Sequence, residues 1–540
     1  MKKFLSILLI SAMLLTLVPM AVFAAEATPV GKAITSASQL NSISDSDTGN
    51  YYLANDIIIT GNWTGKTFKG NLDGNGKTIY LENGTTIKGG VFHQLHGSYI
   101  KNLNIVQKGT TTYQENNNAI GVLATDARGS ANLTISNVHV TANVTNISYT
   151  ESPDIGGILG KVSTYPSNIN LTVENCSFSG EIRKADNKSN RGVGGMLGGI
   201  WNGDPIDANI TIRNCINYAK ITSGSPAGGI FGYNSTNREN AETGGPRSIV
   251  IERCVNYGDI TGKGAGHIGG IFGVNYQHWD ATLTVQNNIN YGTITGGSGD
   301  VGGIGGGVRY HNDTTYMSQG NVNYGTISGT AKVGTNVGSL WQRSSTYNGK
   351  YNPLYNYCHD LSFKKGDSSN GELIENVAEV VATLNGAFGA DMYTVLPNGK
   401  IGLTWAKEAG YGDKLPGNTA TAFVGAQLSG SADDATRNVR FVGGVKGDYS
   451  KLDEVGIQII ATFGSGQKKV FEGCTNTVYE TILADGKAIY ARDNGVDYFY
   501  TAVVRDIPTT LGDVTFEVFT YQLESDKVAY SKSDAIPVYL

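Results

Sequence analysis

Four side chains in one short stretch have the types needed for acid–base work: Asp300, Arg309, His311 and Asp313. A carboxylate and an imidazole can pass a proton to and from a sugar oxygen, and a guanidinium can hold the charge that develops. The same residue types also mark a polar turn between strands, and the turn is the favoured reading. A second set suits binding. Tyr165, Trp201, Tyr233, Tyr276, Trp279, Tyr310 and Trp341 recur after a glycine-rich segment. Rings held on one side of a scaffold stack on the faces of sugars. Rings that each cover their own turn are packing residues.

Metal and nucleophile chemistry find little support. The seven histidines are dispersed, and only His93 and His96 approach ligand spacing. No Cys-x-x-Cys, Gly-x-Ser-x-Gly, phosphate loop or dinucleotide fingerprint occurs in a fitting context. Asp73-Gly74-Asn75-Gly76 has the outline of a calcium loop, but Gly84 stands where a bidentate glutamate belongs. Asn-Gly is also the commonest short turn. No metal site and no cofactor is expected, with Ca2+ the one ion left open. The net charge is −5 and no lysine or arginine run occurs, which excludes nucleic acid as a partner.

These residues hang on an internal repeat. The half-repeat Asn214-Cys215-Ile216-Asn217-Tyr218 returns as Arg253-Cys254-Val255-Asn256-Tyr257, again from Asn287 and from Gly320, with a weaker copy from Asn175. The other half is Gly156-Gly157-Ile158-Leu159-Gly160, repeated from Gly194, Gly228, Gly269 and Gly302. Between them runs an alternating stretch such as Ile169, Leu171, Val173. Three short strands per period, stacked in parallel, predict an all-β protein built as a right-handed parallel β-helix. Glycine, at 73 of 540 residues, shows no Gly-X-Y period, so collagen is excluded. Successive rungs lie about 4.8 Å apart, so equivalent side chains form columns. Cys176, Cys215 and Cys254 then stack with Asn137, Asn288 and Asn321. Their parallel Cβ vectors suit free thiols rather than disulfides. Tyr218, Tyr257, Tyr291, Tyr324 and Tyr357 form a second ladder, whose fixed register points to structural stacking.

The pairing of Gly269-Gly270-Ile271-Phe272-Gly273 with the following Asn290-Tyr291-Gly292-Thr293-Ile294-Thr295-Gly296 resembles the GLUG repeat of bacterial surface proteins. The stretch from Phe68 to Ile79, followed by Gly90-Val91-Phe92 and Ile100-Lys101-Asn102-Leu103, is similar to the opening rungs of secreted, pectate-lyase-like β-helices. The likeness covers roughly residues 34–360. Such repeats also occur in immunoglobulin-cleaving metalloproteases with a His-Glu-x-x-His helix. This chain has no His-Glu dipeptide, so that activity is not implied.

Residues 1–24 read as a secretory signal peptide: Lys2 and Lys3, an apolar run from Phe4 to Val18, and a cleavage site at Val22-Phe23-Ala24. Residues 25–412 make the β-helix domain with short helical caps. Ser36 or Thr35 caps a helix holding Leu40 and Ile43, and an amphipathic helix from Glu372 to Asn385, stopped by Gly386, covers the far end with a hairpin at 396–401. Residues 413–420 form a linker, and 421–540 an immunoglobulin-like β-sandwich. The expected protein is secreted or held non-covalently at the cell wall, has no transmembrane segment and is a monomer. It is expected to bind or adhere to an extracellular glycan or a host or cell-surface protein without catalysis. The rival readings are a polysaccharide lyase or glycoside hydrolase on the same scaffold, and a structural surface-layer component.

Overall fold

The computed structural model describes residues 29–538 except 98, 130–131, 147–152, 164–168, 186–190, 202–206, 236–244, 265, 277–280, 311–313, 343–348, 364–369, 413–419, 430–433, 447–448, 476, 485–486, 492–495, 525–526 and 534–535. One period shows how the coil is made. Strand Ile169–Glu174 leads to Asn175, whose φ of 54° turns the chain through the left-handed region. Strand Ser177–Lys184 follows, then Val193–Gly194 and Leu197–Trp201, before the next period starts at Asp207–Arg213. Each strand pairs in parallel with its equivalent one period on, as Leu171 with Ile210 and Leu197 with Phe231 by way of their rungs. The result is a parallel β-solenoid with sheets of 24, 7 and 10 strands.

The left-handed corner is a column of its own: Asn102, Asn137, Asn175, Asn214, Arg253, Asn287, Gly320 and Tyr355 all have positive φ. Asparagine and glycine tolerate that conformation best, which is why they dominate the column. Asn137 therefore belongs to the corner and not to the cysteine column. Val138 aligns with Cys176, because the register pairs His139 with Ser177. The repeat length alone placed Asn137 one residue off, since the loops between strands vary.

Cys176, Cys215 and Cys254 do lie on consecutive rungs, buried and unbridged. Their sulfurs donate to Glu174 O, Arg213 O and Glu252 O at 3.2, 3.2 and 3.4 Å. Burial pushes the Cys176 and Cys215 thiols well up, so both stay protonated and unreactive in the folded chain. Iodoacetamide should spare all three in native protein and modify them in denaturant without prior reduction. A disulfide between any two, seen by mass, would contradict the register.

Two residues beyond the cysteines runs an amide ladder. Asn217 Nδ2 donates to Asn256 Oδ1 at 2.8 Å, Asn256 to Asn290 at 2.7 Å and Asn290 to Asn323 at 2.7 Å. Across the coil, the second glycine of each glycine strand faces this column. A Cβ on Gly195 would lie 2.5 Å from Asn217 Oδ1, and one on Gly229 2.4 Å from Asn256 Oδ1. The two halves of the repeat are thus one contact: the coil is thin, and only glycine leaves room for the amide opposite.

The N-terminal cap forms as expected. Ser36 accepts from Gln39 N, and helix Ala37–Ser42 buries Leu40, with Ile43 beyond it. The second cap is a correction. Helix Val377–Phe388 starts at Asn376 and runs through Gly386 to end at Gly389. It does not close the end of the coil. With hairpin Tyr393–Val395/Ile401–Leu403 and helix Thr404–Glu408, it packs along the flank, over the apolar column Ile216, Val255, Ile289, Val322 and Tyr357. Tyr393 Oη lies 2.8 Å from Asn287 Oδ1 and 2.7 Å from Gly320 O, and Trp405 Nε1 donates to Arg253 O at 3.1 Å. Tyr411 reaches the His139 ring, 6.4 Å between centroids. The segment is a strap that runs back along the rungs. The stacked Tyr218, Tyr257, Tyr291 and Tyr324, with ring centroids 5.0 to 5.6 Å apart, lie beneath it as packing residues; Tyr357 is not the next ring of this ladder, because it pairs with Val322 and His359 stacks on Tyr324 instead.

At the last turn, strand Lys350–Leu354 is largely exposed and carries Pro353, which cannot donate to a further strand. Beyond the strap, two larger antiparallel sheets and a two-stranded one, Thr481–Ala484 with Lys487–Ala491, form the C-terminal region. One joins Ala420–Ser429, Thr436–Lys446 and Tyr498–Pro508. The other joins Lys468–Thr475, Glu454–Phe463, Val514–Glu524, Lys527–Lys532 and Ile536–Val538. Their apolar faces meet around Phe441 and Phe516, rings 5.2 Å apart. This region touches the strap through Leu396, Tyr521 and Val528 and through Lys407 with Glu472 at 3.8 Å. Of the linker 413–420, residues 413–419 lie outside the described residues.

Candidate functional site

The ten-stranded sheet carries the candidate site. Its strands Ala124–Arg128, Leu159–Ser163, Leu197–Trp201, Phe231–Ser235, Phe272–Tyr276, Gly305–Tyr310 and Val337–Gln342 stack in parallel. Their register creates one column: Arg128, Ser163, Trp201, Ser235, Tyr276, Arg309 and Trp341. Alternate rungs are about 9.6 Å apart, so Trp201, Tyr276 and Trp341 occupy evenly spaced positions on a straight line. Tyr276 and Arg309 are half-buried. The Arg309 guanidinium lies 5.9 Å from the centre of the Tyr276 ring, on the next rung.

The remaining aromatic expectations divide. Tyr233 sits two residues before this column and is 2% exposed, with its ring edge-on to Tyr276 at 5.6 Å. It supports Tyr276 and presents no face to a ligand, because local packing wins at that rung. Tyr310 aligns with Gln342, one residue past the column. Tyr165 and Trp279 lie outside the described residues, and the side chains of Trp201, Tyr310 and Trp341 are likewise not described beyond their strand positions.

The acid–base quartet does not assemble as a unit among the described residues. His311 and Asp313 lie outside them. Asp300 is engaged one rung back: its N–H donates to His267 Nδ1 at 3.3 Å, and its Oδ2 lies 3.5 Å from the same nitrogen. Burial pushes the His267 imidazolium down, more strongly than the Asp300 carboxylate pulls it up. Neutral His267 then accepts at Nδ1. Asp300 Oδ1 also accepts from Lys332 N at 3.2 Å. His267 was legible in principle, since it precedes Asp300 by 33 residues, one repeat period.

The Asp73 turn is also structural. Asn75 and Gly76 have φ of 51° and 69°. Asp73 Oδ1 accepts from Asn75 N at 2.9 Å and Asn102 Nδ2 at 3.1 Å, and Lys101 Nζ lies 3.2 Å from Oδ2. These partners occupy the carboxylate that a calcium ion would need. Among the described residues no group of three His, Cys, Asp or Glu side chains is placed to hold a metal.

Sequence reasoning missed a polar cluster on the first turns of the same sheet. Asp126 and Lys161 are register partners, both buried, in a column that elsewhere holds Gly199, Tyr233, Val274 and Gly307. Asp154 is also buried. It accepts from Gly192 N at 2.7 Å and pairs with Arg191 at 3.1 Å. A Cβ on Gly199 would lie 2.5 Å from Asp154 Oδ1, so that glycine admits the carboxylate. The signal was the appearance of charge where the other rungs carry none. No helix among the described residues is long and apolar enough to cross a membrane. No known family, curated protein or solved structure matches this chain.

Proposed function

We propose that this is a secreted or cell-surface bacterial protein of the GLUG-repeat kind, which binds an extracellular glycan or a host-cell surface along the flank of its solenoid. The observation that carries the reading is the register column Trp201, Tyr276, Arg309 and Trp341. An extended polymer lying along the coil axis meets an aromatic or cationic position on three successive rungs and on Trp201 beyond the small Ser235. Parallel stacking keeps those positions collinear whatever the loop lengths between them. The strap packs on strands of the 24-stranded sheet and the C-terminal region touches the strap, whereas the column belongs to the ten-stranded sheet.

Each stacked ring contributes on the order of 1 kcal/mol, so the double substitution Trp201→Ala/Trp341→Ala should weaken binding of a long glycan by about 30-fold. A disaccharide, which reaches one ring at a time, should lose far less. Tyr276→Ala belongs to the same class. Tyr233→Ala is the contrast, since removing a buried ring costs about 3 kcal/mol of stability. A glycan array read together with reducing-end release tests binding and cleavage at once. Binding without release supports the proposal. Release of new reducing ends, or affinity unchanged in the double variant, overturns it.

A further inference from the structure

The buried polar cluster on the first turns has a composition that binding does not explain. Lys161, on strand Leu159–Ser163, donates from Nζ to Asn117 O at 2.6 Å. The Asn117 carboxamide turns its Oδ1 toward two cations, 3.1 Å from Lys161 Nζ and 3.1 Å from Arg128 Nη2. Asp126 Oδ2 lies 3.4 Å from the same end of the amide. Asp126 is fully buried; Oδ2 accepts from Arg128 at 2.9 Å and from Ser163 Oγ at 2.9 Å, and Oδ1 has no partner among the described residues. Asn117 is held in place by a tight turn: it and Asn118 have φ of 52° and 58°, and Asn118 N donates to Glu115.

An amine, a carboxamide and a carboxyl in mutual contact can react. We propose that Lys161 and Asn117 are joined by an intramolecular isopeptide bond, with Asp126 moving the proton and Arg128 holding the oxygen. The Lys161 Nζ lone pair attacks Asn117 Cγ, forming the C–N bond and placing negative charge on Oδ1. Arg128 and the Asp126 hydroxyl donate to that oxygen. Asp126 then carries a proton from Nζ to Nδ2. The Cγ–Nδ2 bond breaks and ammonia leaves. Atoms balance: one amine and one primary amide give one secondary amide and one ammonia, with no oxidant or cofactor. Burial supports the required protonation states. It pushes the Lys161 ammonium down, which favours the nucleophilic amine, and the Asp126 carboxyl up, which favours the acid, in each case against the pull of neighbouring opposite charges. The link would tie the 115–118 turn to the rung that follows it, across a separation of 44 residues.

Intact mass and tryptic mapping of the purified protein, with the N-terminus of the sample fixed by peptide sequencing and the sequence mass counted from it, test this. The chain should be lighter than its sequence by one ammonia. Trypsin should fail to cleave after Lys161, and one branched peptide should contain both residues. Lys161→Arg, Asn117→Ala and Asp126→Asn should each restore the sequence mass. If a variant does not fold, the map of the unaltered protein still decides. An unmodified mass with normal cleavage at Lys161 overturns the proposal. So does loss of ammonia without a branched peptide, since that result is a succinimide at Asn117.

Discussion

Asn256→Ala is expected to destabilise the solenoid by on the order of 4 kcal/mol, although it removes one small, uncharged side chain. Asn256 is fully buried. Its Nδ2 serves Gly258 O at 2.9 Å and Asn290 Oδ1 at 2.7 Å, while its Oδ1 accepts from Asn217. Alanine leaves two buried acceptors without a donor, and each such loss costs about 1–3 kcal/mol before any cavity is counted. Asn217 Nδ2 keeps its bond to Ala219 O, so the damage runs mainly toward the later rungs. Asn256→Asp is a sharper test. It preserves shape but loses both donor hydrogens and buries a charge beside Asn290 Oδ1. That variant should be less stable at neutral pH than in mild acid, where the carboxyl regains a proton. Chemical denaturation of the three proteins at two pH values measures this. A midpoint for Asn256→Ala within error of the parent would mean that the ladder is incidental.

Gly270→Ala is the second large effect. Its Cβ would lie 2.1 Å from Gly303 O on the next rung and 2.4 Å from Asn290 Cγ. Neither neighbour can retreat, because one is backbone in a parallel sheet and the other is fixed in the amide ladder. Parting two rungs should cost about 3 kcal/mol, the upper end of overpacking in a close-packed core. Gly386→Ala provides the opposite sign in the same chain. That glycine is inside helix Val377–Phe388 with open space around its Cβ position, so alanine should add about 1 kcal/mol. Thermal melts of both variants compare them directly. Equal shifts of the same sign would refute the assigned contacts.

The coil was legible because period and pattern agree. Gly-Gly-Ile-Phe-Gly and Asn-Tyr recur together, and the structure shows them to be two sides of one contact. The Tyr218 to Tyr324 ladder was legible for the same reason, since nothing but stacked rungs keeps such a register. The column assignment of Asn137 failed by one residue, because a period counts residues while register is set by hydrogen bonds. The strap failed differently. Val377, Val380, Val381 and Leu384 announce an apolar helix face but not the surface that receives it. The receiving surface was visible in hindsight as Ile216, Val255, Ile289 and Val322, which follow a buried column without alternating. The aromatic strip was half legible: sequence lists the rings, but only the register separates Tyr276 from the buried Tyr233. Asp126, Lys161 and Asn117 were missed because they come from a turn and from strands of two neighbouring rungs, and break the repeat rather than follow it.

The strap also changes how the molecule should come apart. A bare solenoid is a one-dimensional chain in which each unit feels only its neighbours, so terminal units can melt one after another. Here one segment, continuous from Asn376 to Tyr411, is fastened to rungs as far apart as His139 and Tyr324. Fraying of a single unit cannot proceed without loosening that fastening, which adds a long-range term to a nearest-neighbour system. Pulled along its axis, such a coil should resist and then yield in one event spanning several rungs, rather than in a ladder of small steps. For the surface-binding role proposed above, that is the difference between a zipper and a clasp.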